Sequence, residues 1–404
     1  MPTFPLTDVA ADHHVATFDL AASDLGGDPS RPPWSVRQRT LRGGRRDGVD
    51  RITLDNGSLV VEIVPTRGMS LWRGAFRGDQ LGWDSPVQGG PVHPSLIRLE
   101  DRGGLGWLDG FDELMVRCGL SHNGAPFEVS DPAGPDPAAP PPRRTMYPLH
   151  GRIGNTPAHY VALHVEEDGP ETTLTIEGRV AESALFHPQL ELSTRISTTP
   201  GSNRLTVRDV ITNRSDQPGE FQLLYHWNFG PPYLGDGATF HAPIETLVPR
   251  TPRAAEGIST YATFASPTPG FAEQVYLAHL VGLGPDGTTL AMLLDPTRTK
   301  AIVLRFRRRE LPCFTLWKAT GGLRDGYVTG LEPGTNFPHA LPFEKTRNRV
   351  VRLDPGAEHR AETTLEIFNT PGAIAKVLEE VQTLQQSHLA TIHPHPTEPF
   401  APEG

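Results

Sequence analysis

Arg51-Ile-Thr-Leu-Asp-Asn-Gly-Ser-Leu-Val-Val-Glu-Ile-Val64 sets two short β-branched runs on either side of the dipeptide Asn56-Gly57. Asn-Gly between alternating apolar residues is a strong local hairpin signal, because both residues tolerate the left-handed backbone of a tight turn. Runs of the same style recur at 158–165, 172–179, 190–198, 204–212, 220–226, 274–283, 288–294, 301–306, 313–318, 350–353 and 361–367. Turn pairs such as Pro200-Gly201, Asp286-Gly287 and Pro355-Gly356 separate them. Strands that follow strands without intervening helices predict an all-β chain of antiparallel sheets, arranged as a sandwich. One helix is expected near the end, where Pro371 precedes Ile374, Val377, Leu378, Val381 and Leu384 at spacings of three and four.

Composition agrees with that reading. The chain has 404 residues, 37% hydrophobic and 21% charged, enough to bury a sizeable core. Gly 41 and Pro 41 suit a loop-rich β-protein. Lys+Arg 37 against Asp+Glu 47 gives a net charge of −10. The basic runs Arg42–Arg46 and Arg305–Arg309 read as solvated faces, so nucleic-acid binding is disfavoured. No stretch is apolar enough to span a membrane and no signal peptide is visible, so the expectation is a soluble cytoplasmic protein. Cys118 and Cys313 fit two buried cytosolic thiols more simply than one disulfide. The expected organisation is an N-terminal extension over 1–34, one sandwich domain over 35–370 and a C-terminal helix with a flexible tail over 371–404. The Pro-rich stretch 131–143 is expected to be a surface insertion in the sandwich. Oligomeric state is left open.

The chain lacks a P-loop, a dinucleotide fingerprint, a Gly-x-Ser-x-Gly elbow and a His-Glu-x-x-His pair, so no cofactor or metal is implied. Chemistry-bearing residues fall instead in four aromatic, Gly- and Pro-rich segments. These are Tyr147-Pro-Leu-His150-Gly-Arg152, Leu224-Tyr-His226-Trp-Asn228-Phe-Gly230, Gly270-Phe-Ala-Glu273-Gln-Val-Tyr276 and Gly330-Leu-Glu332-Pro-Gly-Thr-Asn336-Phe-Pro338. Glu332 follows a β-run and precedes a Pro-Gly turn, so it is expected to project from a strand end into a cleft, as a base or as a solvated turn residue. His226 ends an apolar strand between aromatics, as a proton donor near neutrality or as a hydrogen-bonded core histidine. His150 and Arg152 are expected on one face of an extended segment, contacting substrate hydroxyls. Trp317 and Lys318 could form a stacking face and a hydroxyl or anion contact, and Arg67, in a Thr-Arg-Gly turn, could hold a hydroxyl or acidic substituent. His93, His122, His150 and His226 lack the close spacing of a compact metal motif.

Taken in order, the four segments resemble the galactose-mutarotase-like superfamily of aldose 1-epimerases and, within it, the DUF4432 family. Leu149-His150-Gly151 matches the epimerases' His-Gly segment. His226-Trp227-Asn228-Phe229 matches their His-x-x-Phe-Asn with Asn and Phe transposed. Gly270-Phe271-Ala272-Glu273 resembles Gly-x-Asp, with Glu one residue later. Leu331-Glu332…Asn336-Phe337-Pro338 resembles Leu-Glu-x-x-x-Phe-Pro, and Pro65–Met69 is similar to an N-terminal Tyr-Gly-Ala turn. The resemblance spans about residues 50–370 and implies a β-supersandwich. It also implies that Glu332 deprotonates the anomeric hydroxyl, that His226 protonates the ring oxygen, and that Glu273 and Asn336 join the substrate contacts. Asp109–Gly119 looks like a cleft-lining segment of the DUF4432 branch, with no role assigned.

Three functions follow from this reading. The first is a cofactor-independent mutarotase acting on a small carbohydrate. The second is a sugar isomerase or lyase using the same cleft for enolisation, and the third is a non-catalytic carbohydrate-binding protein.

Overall fold

A computed structural model of the chain describes residues 2–130, 144–168, 171–185 and 187–402. The expected insertion at 131–143 lies outside the described residues. The Asn-Gly hairpin forms as read: Asp50–Asp55 pairs antiparallel with Leu59–Val64, with Ile52 opposite Ile63. Gly57 takes the left-handed φ of 87° at the turn. Asn56 is buried, accepting from the Ser58 and Leu59 amides while its amide group donates to Thr198 Oγ1 and two carbonyls of the facing sheet's turn. The dipeptide thus closes the hairpin and ties it across the sandwich.

Among the described residues the strands build one ten-stranded sheet, one fourteen-stranded sheet and a separate two-stranded ribbon of Phe127–Ser130 and Arg144–Tyr147. Alternation sends one side chain in two into the space between the two large sheets. Ile176, Leu192, Val207 and Leu365 of the smaller sheet meet Ile63, Leu71, Tyr225, Trp227 and Leu331 of the larger in one core. Arg117 crosses that core: its guanidinium pairs with Asp209 of the facing sheet (Nη2–Oδ1 2.9 Å), which also accepts from Tyr225 Oη at 2.8 Å. Both partners are buried, and removing either one from such a pair costs about 3–5 kcal/mol.

The helix forms over Pro371–Gln386 and lays Ile374, Val377, Val381 and Leu384 on the outer side of Leu290, Met292 and Val303. The segment beyond it, expected to fray, packs against the fold. Thr391–Ile392 pairs in parallel with Ile244–Pro249, and Phe400 and Ala401 are buried. The Phe400 ring lies 4.7 Å from His279 and 5.3 Å from Phe337, and its carbonyl accepts from His339 Nε2 at 2.9 Å. One aromatic anchor outweighs the Pro-rich composition around it. The N-terminal residues are likewise structured, with Thr3–Asp8 and Thr17–Ala21 each pairing into a sheet. Cys118 and Cys313 are both buried free thiols. No helix among the described residues is long and apolar enough to cross a membrane.

Candidate active site

The larger sheet turns its other face outward, and there the side chains that do not enter the core form two cross-strand rows. In one, His226 on Gly219–Phe229 stands beside Glu332 on Tyr327–Gly334, followed by Thr315, Leu277 and Val248. In the other, Asn228, Gly330, Trp317 and Val275 lie opposite one another in turn. Both expected strand ends are corrected: His226 and Glu332 sit within strands that continue to Phe229 and Gly334. Their rigidity comes from the ladder on both sides rather than from a turn.

His226 Nε2 lies 3.3 Å from Glu332 Oε1, and both residues are buried. The other ring nitrogen fixes the tautomer. Asn228 donates its amide protons to the carbonyls of Glu113 and His226, both at 3.0 Å, so its Oδ1 is left to accept from His226 Nδ1–H at 2.7 Å. The neutral imidazole therefore presents a bare Nε2 to Glu332. Burial, and then Glu273, raise the Glu332 carboxyl well above its ordinary value, while Arg250 opposes them. Burial, and then His150, lower His226 well below its own. Both shifts favour neutral groups, which places the proton of the pair on the Glu332 carboxyl and leaves Nε2 unprotonated.

Four rings surround that contact. Centroids of Phe111 and Trp317 each lie 5.2 Å from the His226 ring, His150 5.4 Å and Trp107 6.2 Å. Trp317 donates from Nε1 to Glu273 Oε2 at 2.7 Å, which ties the Gly-Phe-Ala-Glu loop to the cleft wall. Gly330 leaves room for this arrangement: a Cβ there would stand within contact of Glu332 Oε1 and 3.2 Å from the Trp317 ring.

His150, His226, Glu273, Trp317 and Glu332 thus gather at one place. His150 reaches it with a left-handed φ of 60°, its Nδ1–H on the Asn123 carbonyl at 2.9 Å, and burial brings its pKa down to about 4. That backbone breaks the two-residue period expected of the segment. Arg152 consequently points away, exposed, and pairs with Glu100 at 2.5 Å. Asn336 acts from behind: it exchanges amide bonds with Asn123 at 2.9 Å each way and so braces the carbonyl that holds His150.

Two more expected contacts face elsewhere. Lys318 follows Trp317 and points to the opposite side of its strand, where Nζ donates to the carbonyls of Thr260, Tyr261 and Thr263 at 3.1, 3.2 and 2.7 Å. Burial lowers its pKa to about 8. Arg67 is 1% exposed, paired with Glu113 and bonded to the Val92 carbonyl at 3.1 Å and the Gly110 carbonyl at 3.2 Å, so it fastens the loop that carries Phe111. The segment Asp109–Gly119 gains its roles in the same way. Phe111 lines the cleft, Glu113 holds Arg67, Asp112 accepts from Trp72 Nε1 at 2.9 Å, and Arg117 joins the sheets. His93 bonds to Ser95 away from the cleft, and among the described residues no three His, Cys, Asp or Glu side chains gather as a metal site.

Sequence reasoning missed Trp107, Asn228, Gly330 and Arg250, and placed Phe111 only as part of a lining segment. Asn228 carried a usable signal, since a residue two positions from His226 on one strand shares its face. Arg250 carried none. It follows strand Ile244–Pro249, and its amide donates to the Val275 carbonyl at 2.9 Å, which makes it the end of the Asn228–Gly330–Trp317–Val275 row.

Fold and site together define a galactose mutarotase-like β-sandwich. Residues 46–367 match the profile of DUF4432, a domain of unknown function, and the chain belongs to that family. A crystal structure of a "putative aldose 1-epimerase" from Klebsiella pneumoniae is 34% identical over 98% of this chain and 100% of its own, with a TM-score of 0.90. A galactose mutarotase-like protein from Clostridium acetobutylicum is 13% identical over 83% of this chain and 98% of its own, at 0.50. Galactose 1-epimerase from Lactobacillus acidophilus is 12% identical over 83% and 99%, at 0.51. The last two likenesses are of fold alone. Comparison with curated proteins gives no match.

Proposed function

We propose that the protein is a cytoplasmic mutarotase of the aldose 1-epimerase type, interconverting the anomers of a sugar by acid–base ring opening. The observation that carries this reading is the buried contact of His226 Nε2 with Glu332 Oε1, 3.3 Å apart among four rings, a distance across which one proton can pass. The hydroxyl and ring oxygens of a hemiacetal share one carbon, so two neighbouring side chains can serve both. Once the pair's proton has passed from Glu332 to His226 Nε2, Glu332 takes the proton of the anomeric hydroxyl while His226 gives its own from Nε2 to the ring oxygen, and the C–O ring bond breaks to an aldehyde. The proton has then moved from His226 to Glu332, leaving the neutral pair that burial favours. Rotation about the bond to the aldehyde carbon, followed by the reverse transfers, closes the ring to the other anomer. No net proton is gained or lost. Trp317 offers a stacking face, and Glu273 and His150 offer hydroxyl partners at its rim.

The test is NMR of anomer exchange, starting from pure anomers and subtracting the free-sugar blank. Glu332→Gln and His226→Asn should each lower the enzymatic rate by roughly 10²–10⁴, the usual range for acid–base catalysis. The double variant should lose much less than the product, because both groups act in one step. A wild-type rate that never rises above the blank would favour the binding-protein reading. A Glu332→Gln variant with wild-type rate would exclude that carboxyl as the base.

A further inference from the structure

Three cations that the sequence offers as substrate contacts are engaged elsewhere: Arg67 by Glu113, Arg152 by Glu100 and Lys318 by three carbonyls. Arg250 differs from them. It is half-buried at the end of the cleft row, and its side chain makes one hydrogen bond among the described residues, from Nη2 to the Pro338 carbonyl at 3.1 Å. No carboxylate among the described residues lies within ion-pair distance of it. Its counterparts in packed surroundings are paired, Arg67 with Glu113, Arg117 with Asp209 and Arg349 with Glu344. A guanidinium withdrawn from water without an anion loses hydration that one carbonyl does not restore.

The acidic groups around Arg250 do not fill that role. Glu344 is held on both oxygens by Arg349, at 2.7 and 2.8 Å. Glu273 is exposed at the rim and bonded to Trp317. Glu332 belongs to the contact with His226. His150 and His339, the other titratable groups that feel Arg250, are both brought low by burial and add no charge at neutral pH.

We infer that Arg250 is a substrate-binding residue that takes an anionic oxygen pair at the end of the sugar remote from the anomeric carbon, so that the substrate is an acidic aldose. This rests on the mutarotase reading only for where the anomeric carbon lies. Three strand steps separate the strand of Glu332 from that of Arg250, about 14 Å at ordinary strand spacing. Trp317 stands on a strand between them, so its ring lies along the line a bound sugar would take. The planar fork matches a carboxylate or a phosphate in two-point contact, and both present the same chemistry.

Binding and turnover are measured separately. Titration calorimetry is carried out with glucose, galactose, glucuronate, galacturonate and glucose 6-phosphate on wild type, Arg250→Gln and Arg250→Lys, with thermal unfolding as a check of fold. At least one acidic sugar should bind wild type roughly tenfold or more tighter than its neutral counterpart, as a charge-assisted pair implies. Uronates against the phosphate distinguish the two anion sources. Arg250→Gln should abolish the preference while leaving neutral-sugar affinity within about twofold, and Arg250→Lys should keep part of it, as a point charge without the fork. Acidic sugars that bind no better than neutral ones, or a preference that survives in Arg250→Gln, overturn the inference. Tight acidic-sugar binding without anomer exchange would keep Arg250 and discard the mutarotase. Anomer exchange by a wild type that binds acidic sugars no better than neutral ones would do the reverse.

Discussion

Replacing Gly330 with alanine would perturb the candidate site through a single carbon. The strand backbone at Gly330 has no positive φ, so alanine adopts it without strain. The new Cβ would fall inside the contact distance of Glu332 Oε1 and 3.2 Å from Trp317 Cε3. Trp317 is tied by its Nε1 to Glu273, so the Glu332 carboxyl is the group that yields. Restoring ordinary contact moves it by about 1 Å, and a reacting group misplaced that far costs on the order of 10²-fold in rate. Stability should barely change, because a glycine-to-alanine change at a compatible position gains about 0.4–1 kcal/mol through the unfolded chain. The assay is anomer exchange by NMR beside thermal unfolding of the same samples. We expect kcat/KM to fall by about a hundredfold while Tm stays within roughly 4 °C of wild type. A folded Gly330→Ala protein with wild-type turnover would refute the placement of Glu332 against the reacting atoms.

Three further outcomes follow from the same geometry. Because burial raises Glu332 and lowers His226, the acid limb of the rate should lie below the ordinary histidine value and the alkaline limb above the ordinary carboxylate value; a single limb centred at about 6.5 would contradict both shifts. Asp112 is pushed up to about 7 by burial and then by Glu113, so its contribution to stability is full below its unfolded value and lost as pH rises through about 7. Asp112→Asn, which keeps an acceptor for Trp72, should flatten the change in urea midpoint between about pH 5 and pH 8, and a variant as pH-sensitive as wild type would exclude Asp112 as its source. Lys318→Met strands three carbonyls, so it should lower stability by about 1–3 kcal/mol and leave sugar affinity unchanged; lost affinity at unchanged Tm would return Lys318 to the cleft.

The fold was legible because strand signals are local. Period-two alternation and Gly or Pro turns located nearly every major strand, and the Pro371 helix declared itself by its three-and-four spacing. The packed tail was less legible, since nothing in Pro-rich sequence marks Phe400 as an anchor until His279 and Phe337 are beside it. In the site, His150, His226, Glu273 and Glu332 were singled out through motif order, and Trp317 as a stacking face on a β-run. The failures share one physical cause, which is that a side chain's direction is set by neighbours far away in sequence. Lys318 adjoins Trp317, yet alternation along the strand sends it to the other side. Arg152 was placed with His150 by assuming an extended backbone, and the left-handed φ at His150 turns it outward. Arg250 lies 82 residues before Glu332 in sequence and enters the row only through sheet register.

That register also explains how one sheet can hold both an apolar core and a polar cleft. Each strand crossing the site contributes alternate residues to two environments: Trp227 and Leu331 to the core, His226 and Glu332 to the cleft. A shift of one residue would exchange them, placing an acid and a base in the core and a tryptophan and a leucine in the cleft. The core side therefore fixes the chemistry on the other. Arg117 bonded to Asp209, and Tyr225 bonded to the same carboxylate, lock the strand of His226 and its neighbour Met115–Leu120 at one alignment against the facing sheet. Asn228 then sets the tautomer, and four rings withdraw the pair from water. What remains is His226 Nε2 facing Glu332 Oε1 at 3.3 Å, with no other hydrogen-bond partner for that oxygen among the described residues.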